Sequence, residues 1–185
     1  MTLGQQQSRN FPKNFRDKTT MIDKRMDIQM LGKAGEAIIR NFLVQHEYIV
    51  TDSVDQYDSE KDFIAVKKGT TYTVEVKTQQ PYVYRDMISF EEHQLAKCLT
   101  VDYLFFVVVP PVMQPSYKHS GKILFAKPLK DELEYELYRT KAGDRKVGFR
   151  IDQQALHHVA SLTDSDLTAL TRHTVSNYEK GYSLI

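Results

Sequence analysis

Cysteine is nearly absent: one thiol, Cys98, stands in 185 residues. A lone thiol excludes an internal disulfide framework and a cysteine-rich zinc site. Long apolar runs are missing too. The longest, Tyr103 to Val109, is about a third of what a membrane span needs. The opening Met1-Thr2-Leu3-Gly4-Gln5-Gln6-Gln7 is polar, so no signal peptide is expected there. A soluble, cytoplasmic protein of a bacterial, archaeal or phage-infected cell is the expectation, with no membrane partner. There is no internal repeat or low-complexity segment, and the net charge of +1 gives no global sign of a polyanionic partner.

The composition that is present is ordinary for a folded chain: 41% hydrophobic and 26% charged. The length suits one domain with a sizeable core. The charge is unevenly placed. Arg9, Lys13, Arg16, Lys18, Lys24 and Arg25 face only Asp17 and Asp23, and Arg139, Lys141, Arg145, Lys146 and Arg150 face only Asp144. Between these stretches Asp52, Asp55, Asp58, Glu60 and Asp62 enclose one lysine, Lys61. Basic flanks around an acidic centre suit an enzyme that holds a polyanion and binds a cation. Solvated surface loops are the plainer account of each cluster taken alone.

Residues 1 to 26 read as a flexible basic arm and 27 to 185 as a single domain. Ile28, Leu31, Ile38, Ile39, Phe42 and Leu43 recur at helical spacing between Asp27 and Gln45. Tyr48-Ile49-Val50 reads as a first strand. Asp62 to Lys67 and Thr71 to Lys77 read as strands joined at Lys68-Gly69, since glycine accepts positive φ. Ser89 and Glu92 have capping-box spacing for a helix carrying Leu95, Cys98 and Leu99. Tyr103 to Val109, stopped by Pro110-Pro111, reads as a strand buried on both faces. Further strands are predicted at Lys122–Ala126, Leu133–Tyr138 and Val147–Ile151, and helices at Gln153–His158 and Asp164–Tyr178. This order predicts an α/β sandwich with a mixed central sheet flanked by helices.

The chemistry concentrates on Thr73-Val74-Glu75-Val76-Lys77. Alternation puts Val74 and Val76 on one face and Glu75 and Lys77 on the other. Alone, that pattern equally describes a solvated strand face. A two-residue loop at Lys68-Gly69 pairs Lys67 with Thr70, and the register then carries Asp62 opposite Glu75. Directly opposed residues have Cβ atoms about 4.5–5.5 Å apart, and like charges so placed are destabilising. Two such carboxylates need a shared proton or a cation. Mg²⁺ takes carboxylate and carbonyl oxygens plus waters, which makes the pair a half-site for it. The same register sets Glu60 opposite Lys77, so a salt bridge there is the competing account of the lysine. Glu36 lies in the helical row of Gly32, Ile39 and Leu43 and points to the core edge, where a carboxylate needs a partner or a reach to water. Gly32 and Gly35 cost helix propensity, which fits close approach of another backbone, here the hairpin.

Gly32-Lys33-Ala34-Gly35-Glu36, then Lys61-Asp62-Phe63-Ile64, then Val74-Glu75-Val76-Lys77-Thr78-Gln79 resemble the PD-(D/E)xK superfamily of restriction-endonuclease-like nucleases. The following segment with Gln94 and Lys97, and the run Tyr103–Val109, match its continuation; the resemblance covers about residues 27 to 110. Lys61 stands where the family motif has proline. The resemblance implies a restriction-endonuclease-like fold and a metal-dependent endonuclease acting on DNA, closest to Holliday-junction resolvases of archaea and phages. It implies Asp62, Glu75 and the Val76 carbonyl as ligands of Mg²⁺, with Mn²⁺ as substitute, and Glu36 as a ligand directly or through water. Lys77 would position the attacking water and neutralise phosphate. Gln79 and Gln94 are candidate partners of water or phosphate, and Asp58 a further candidate ligand. Tyr82, Tyr84 and Arg85 would either stack on an unpaired base or pack over the strand edge. Cutting both strands calls for two sites, so a homodimer is expected, with residues 111 to 185 covering the core or forming the contact. Rival expectations are a restriction-type or end-trimming phage nuclease, and a nucleic-acid-binding module of the same fold without catalysis. His93, His157, His158 and His173 read as surface residues, and Cys98 as core.

Overall fold

One hairpin organises the central sheet: its first strand buries alternate residues, Phe63 and Ala65, and its second buries three in a row, Val74, Glu75 and Val76. The computed structural model describes residues 16–52, 61–112, 114–128, 133–140 and 142–174, with side chains from residue 28 onward. Strands β2 (Phe63–Lys67) and β3 (Thr70–Gln79) run antiparallel, with Lys67 paired to Thr70 and Phe63 to Val74. The two turn residues both have positive φ, 49° at Lys68 and 78° at Gly69, as a type I′ hairpin turn requires. The expected register is present.

Strand β1 (Ile49–Asp52) adds antiparallel to β2. From β3 the chain crosses over through β4 (Met87–Glu91), a 3₁₀ turn and helix α2 (Leu95–Thr100) to β5 (Tyr103–Val108), which lies parallel to β3. Parallel neighbours need a connection of this length. Strands β6 (Lys122–Ala126) and β9 (His157–Ser161) complete a six-stranded mixed sheet in the order β1-β2-β3-β5-β6-β9. A second, antiparallel sheet runs β4-β8-β7, with β7 spanning Tyr135–Arg139 and β8 Arg145–Arg150. The protein is therefore a mixed α/β structure with helices on its central sheet. No helix among the described residues is long and apolar enough to cross a membrane.

The apolar run of β5 is buried on both faces, as expected. Tyr103, Phe105 and Val107 join a core with Leu31, Ile38, Ile39 and Leu43 of helix α1 (Arg16–Gln45) and with Leu170 of helix α3 (Asp164–Thr171). Leu104, Phe106 and Val108 join another core with Ile88, Phe90, Cys98, Val147 and Phe149. The central sheet thus has α1 and α3 on one face and α2 with the second sheet on the other.

Several expectations need correction. Helix α1 begins at Arg16, so residues 16–26 of the expected arm are helical; residues 1–15 lie outside the described residues. Ser89 and Glu92 form no capping box. Ser89 is buried in β4 with its hydroxyl against Tyr138, because Ile88 and Phe90 gain more from core burial and pairing with β8 than a local cap offers. The capping box is instead at Thr163, whose hydroxyl accepts from the Asp166 amide at 3.2 Å while the Asp166 carboxylate accepts from the Thr163 amide at 2.9 Å. Gln153–His158 is a turn leading into β9, held by the Gln153 amide group bonding Glu134 O at 2.9 Å and Arg150 O at 2.7 Å. The last helix ends at Thr171, and residues 175–185 lie outside the described residues.

Gly35 and Gly32 separate cleanly. A Cβ at Gly35 would lie 1.6 Å from Thr78 Oγ1 and 2.7 Å from Thr78 Cβ, whereas one at Gly32 meets nothing within 4 Å. Gly35 is where α1 closes on β3, one residue past Lys77. Gly35→Ala should therefore destabilise by about 1–3 kcal/mol, while Gly32→Ala should stabilise by about 0.5–1 kcal/mol through helix propensity. Chemical denaturation of both variants checks the opposite signs. Recovery in the double variant Gly35→Ala/Thr78→Ala locates the conflict, and a stabilising Gly35→Ala would contradict the packing.

Candidate active site

Strand β3 carries Val74 and Val76 into the α1 core and turns Glu75 and Lys77 to the other face, beneath α2 and β4. Asp62 sits just before β2. Its amide donates to Val74 O at 2.9 Å, and its Oδ2 accepts from the Val76 amide at 2.7 Å. That bond ties the side chain across the hairpin toward Glu75.

Both carboxylates meet a residue of α2. Lys97 Nζ lies 3.0 Å from Asp62 Oδ1 and 2.7 Å from Glu75 Oε2. Lys77 Nζ donates to Glu75 Oε1 at 2.5 Å and to Gln94 Oε1 at 2.9 Å, and lies over the Phe90 ring. Glu75 is 0% exposed. Its Oε2 is buried, with the Lys97 ammonium 2.7 Å away as its ion-pair partner. The cluster holds two acids and two lysines, so it is internally neutral when both acids are ionised.

Burial, and next the nearby Asp62 charge, push the Glu75 carboxyl up to about 7 against the pull of Lys77 and Lys97. Burial acts to lower the Lys97 ammonium, but Glu75 and Asp62 outweigh it and hold the group above the ordinary lysine value. Burial likewise pushes the neighbouring Cys98 thiol up to about 12. Cys98 is thus an inert core residue, as the sequence indicated.

The structure brings together Asp62, Glu75, Lys77 and Gln94. Glu36 is not with them. It pairs with Lys33 at 2.7 Å, its side chain 25% exposed, on a helix that packs against the Val74 and Val76 face rather than the Glu75 face. Among the described residues no three His, Cys, Asp or Glu side chains converge as a ligand set. Asp58 and Glu60 lie outside the described residues, and Lys77 has Glu75 and Gln94 as partners. Gln79 ends β3, its carbonyl accepting from Val109 N at 2.9 Å. Tyr82 is half-exposed and bridges to Met87, and Tyr84 is 95% exposed. Arg85 pairs with Glu136 at 3.0 Å. His93, His157 and His158 are exposed. The basic stretch near the C-terminus is largely answered within the chain: Arg145 pairs with Glu92, Lys146 with Glu91 and Arg150 with Asp152.

Lys97 is the site residue that the sequence reading did not place there. It lies three residues after Gln94, the spacing that puts side chains on one helical face. That relation to Gln94 was the available signal.

Two acids sharing a cationic centre, with a carbonyl-bearing strand between them, have the donor chemistry for one hard divalent ion completed by waters. Glu75 Oε2, buried and facing a cationic group, is the specific feature that fits such an ion. A scan of the sequence against protein-family models finds no match, and a search of curated proteins finds none either.

The buried carboxylate has a pH signature. The Glu75 carboxyl is raised from 4.5 to about 7, so between these values the folded protein holds a proton that the unfolded chain has released. Stability from this group is full below pH 4.5 and is lost as pH rises through about 7, a change of order 3 kcal/mol. Glu75→Gln removes it. In EDTA the variant should gain stability relative to the parent across that window and melt higher at pH 8. A difference that is flat with pH, or a Glu75→Gln variant that melts lower at pH 8, would show that the charge is not strained.

Proposed function

We propose that the protein is a divalent-metal-dependent endonuclease that hydrolyses phosphodiester bonds in DNA, on a restriction-endonuclease-like sandwich. The observation that carries this reading is the convergence of Asp62 and Glu75 on a single ammonium, with Lys77 fixed beside them. An antiparallel hairpin that presents an acid and a Glu-x-Lys pair, continued by a helix and a parallel buried strand, also supports it.

Asp62, Glu75 and the Val76 carbonyl are the residues that would hold Mg²⁺ or Mn²⁺. Once bound, such an ion activates water and stabilises charge on phosphoryl oxygens. The protein's own groups supply the remainder. Lys77 uses two of its three donors on Glu75 and Gln94. The third is left for a phosphate oxygen or the attacking water, in a fixed direction. Gln94 orients Lys77 and so acts on the reaction through it. The exposed rings of Tyr82 and Tyr84 offer stacking faces to an unpaired base. A branched duplex is the substrate shape that these faces favour, and a homodimer would place two sites on it.

With labelled plasmid, linear, flap and four-way-junction DNAs, Mg²⁺ or Mn²⁺ should support nicking or cleavage, and EDTA should abolish it. Ca²⁺ should support binding with little turnover. Lys77→Ala should lower cleavage about 10²–10⁴-fold while DNA binding persists. Four-way junctions should bind more tightly than duplex of equal length at matched salt, with affinity falling as salt rises. Cleavage that survives chelation or Lys77→Ala sinks the mechanism. Binding without cleavage of any substrate identifies a non-catalytic module, and equal affinity for junction and duplex points to a restriction-type or end-trimming enzyme.

A further inference from the structure

We propose that Lys97 is a built-in counter-ion that competes with a divalent cation for Asp62 and Glu75, so that metal entry and release of Lys97 are one event. The inference rests on the metal-dependent reading above and adds a resident occupant of the site to it.

The geometry makes the two states exclusive. One Nζ touches an oxygen of each carboxylate, at 3.0 Å for Asp62 and 2.7 Å for Glu75. A divalent ion held by the same two side chains, at roughly 2.0–2.1 Å for Mg²⁺, needs the same space. Keeping the ammonium there as well, with Lys77 in place, would put four positive charges within a few ångströms of two negative ones.

The two lysines are not equivalent. Lys77 touches only one of the carboxylates, is 14% exposed, and is held from the other side by Gln94. Lys97 bridges both, is 21% exposed, and stands on the short helix α2 at the end of a flexible four-carbon stem. Its ammonium is held by these two acids, whereas Lys77 is also held by Gln94. Lys97 is the cation that can leave, and Lys77 the one that stays in place. Its departure costs the folded protein little while Asp62 and Glu75 acquire a metal, and it costs much when they do not.

The test follows Mn²⁺ binding by calorimetry without DNA, in the full chain and in Lys97→Met and Lys77→Met. Lys97→Met should bind Mn²⁺ about tenfold tighter or more, which is about 1.4 kcal/mol, and Lys77→Met should gain less. A second measurement uses the parent alone. Reductive methylation, read by mass spectrometry, should find Lys97 protected without metal and increasingly modified as Mg²⁺ is raised. If Lys97→Met fails to fold, this measurement decides. A parent that binds Mn²⁺ while folded Lys97→Met binds it no better, or Lys97 modification indifferent to saturating Mg²⁺, overturns the competition and leaves the metal site standing. If neither the parent nor Lys97→Met binds Mn²⁺, the nuclease reading falls and the competition with it.

Discussion

The constraint on which the rest of the site depends is the complete burial of one carboxylate. Glu75 projects from a central strand into a face closed by α2 and β4. A carboxylate there is costly unless opposite charge and donors reach it. Lys77 reaches it from the same strand, two residues on, and Lys97 from the helix above. Asp62 is drawn in as well, because its second oxygen is fixed by the Val76 amide and its first by Lys97. Removing either lysine would leave an unbalanced charge in a dry setting, so strand, hairpin end and helix hold one another in place.

The sheet divides its labour by face. On the α1 side the contacts are apolar and close: Gly35 lets the helix backbone approach Thr78, and Ile39, Leu43, Val74 and Phe105 fill the layer. On the other side a polar lane runs through an otherwise apolar core of Phe90, Phe106 and Phe149. The register between the two is pinned at the base of β3. There Asp102 Oδ2 accepts from the Thr73 amide and hydroxyl, both at 2.8 Å, and the Asp102 amide donates back to Thr73 Oγ1. This reciprocal clasp fixes β3 against the start of β5, and with it the height at which Glu75 meets α2.

What the sequence made legible follows from short-range geometry. A strand alternates with period two, and a Lys-Gly turn fixes pairing, so Asp62 and Glu75 could be placed at one end of the hairpin. The run Tyr103–Val109 could be read as doubly buried because no polar residue interrupts it. Where tertiary contacts outweighed local chemistry, the reading failed. Ser89 has the spacing of a cap, yet the flanking Ile88 and Phe90 take it into a strand. His157 and His158 pair with β6 instead of continuing a helix. Glu36 lies on a helix that packs against β3, but only the packing of that helix on the Val74 face shows that it does not join the acids. Lys97 was harder to find: its spacing from Gln94 puts the two on one face, but that local relation does not mark it as the bridge between residues 22 and 35 positions earlier.

The neutrality of the cluster bears on how such a site can meet a polyanion. Two bare carboxylates repel phosphate, and at a net charge of +1 the chain offers no general attraction to offset that repulsion. The basic residues near the C-terminus do not supply it freely either, since Arg145, Lys146 and Arg150 already answer acids. Exposed pairs of that kind are worth little, about 0–1 kcal/mol each, and can exchange one anion for another. Inside the site the two lysines cancel the two acids before any ligand arrives. The repulsion is thus removed at short range by groups only a few ångströms from the carboxylates, where a surface patch would act from a distance and be screened by salt. A buried, charge-balanced site can therefore coexist with a protein of almost no net charge, and the burial of Glu75 that draws the lysines inward would also lower the repulsion that an approaching anion meets.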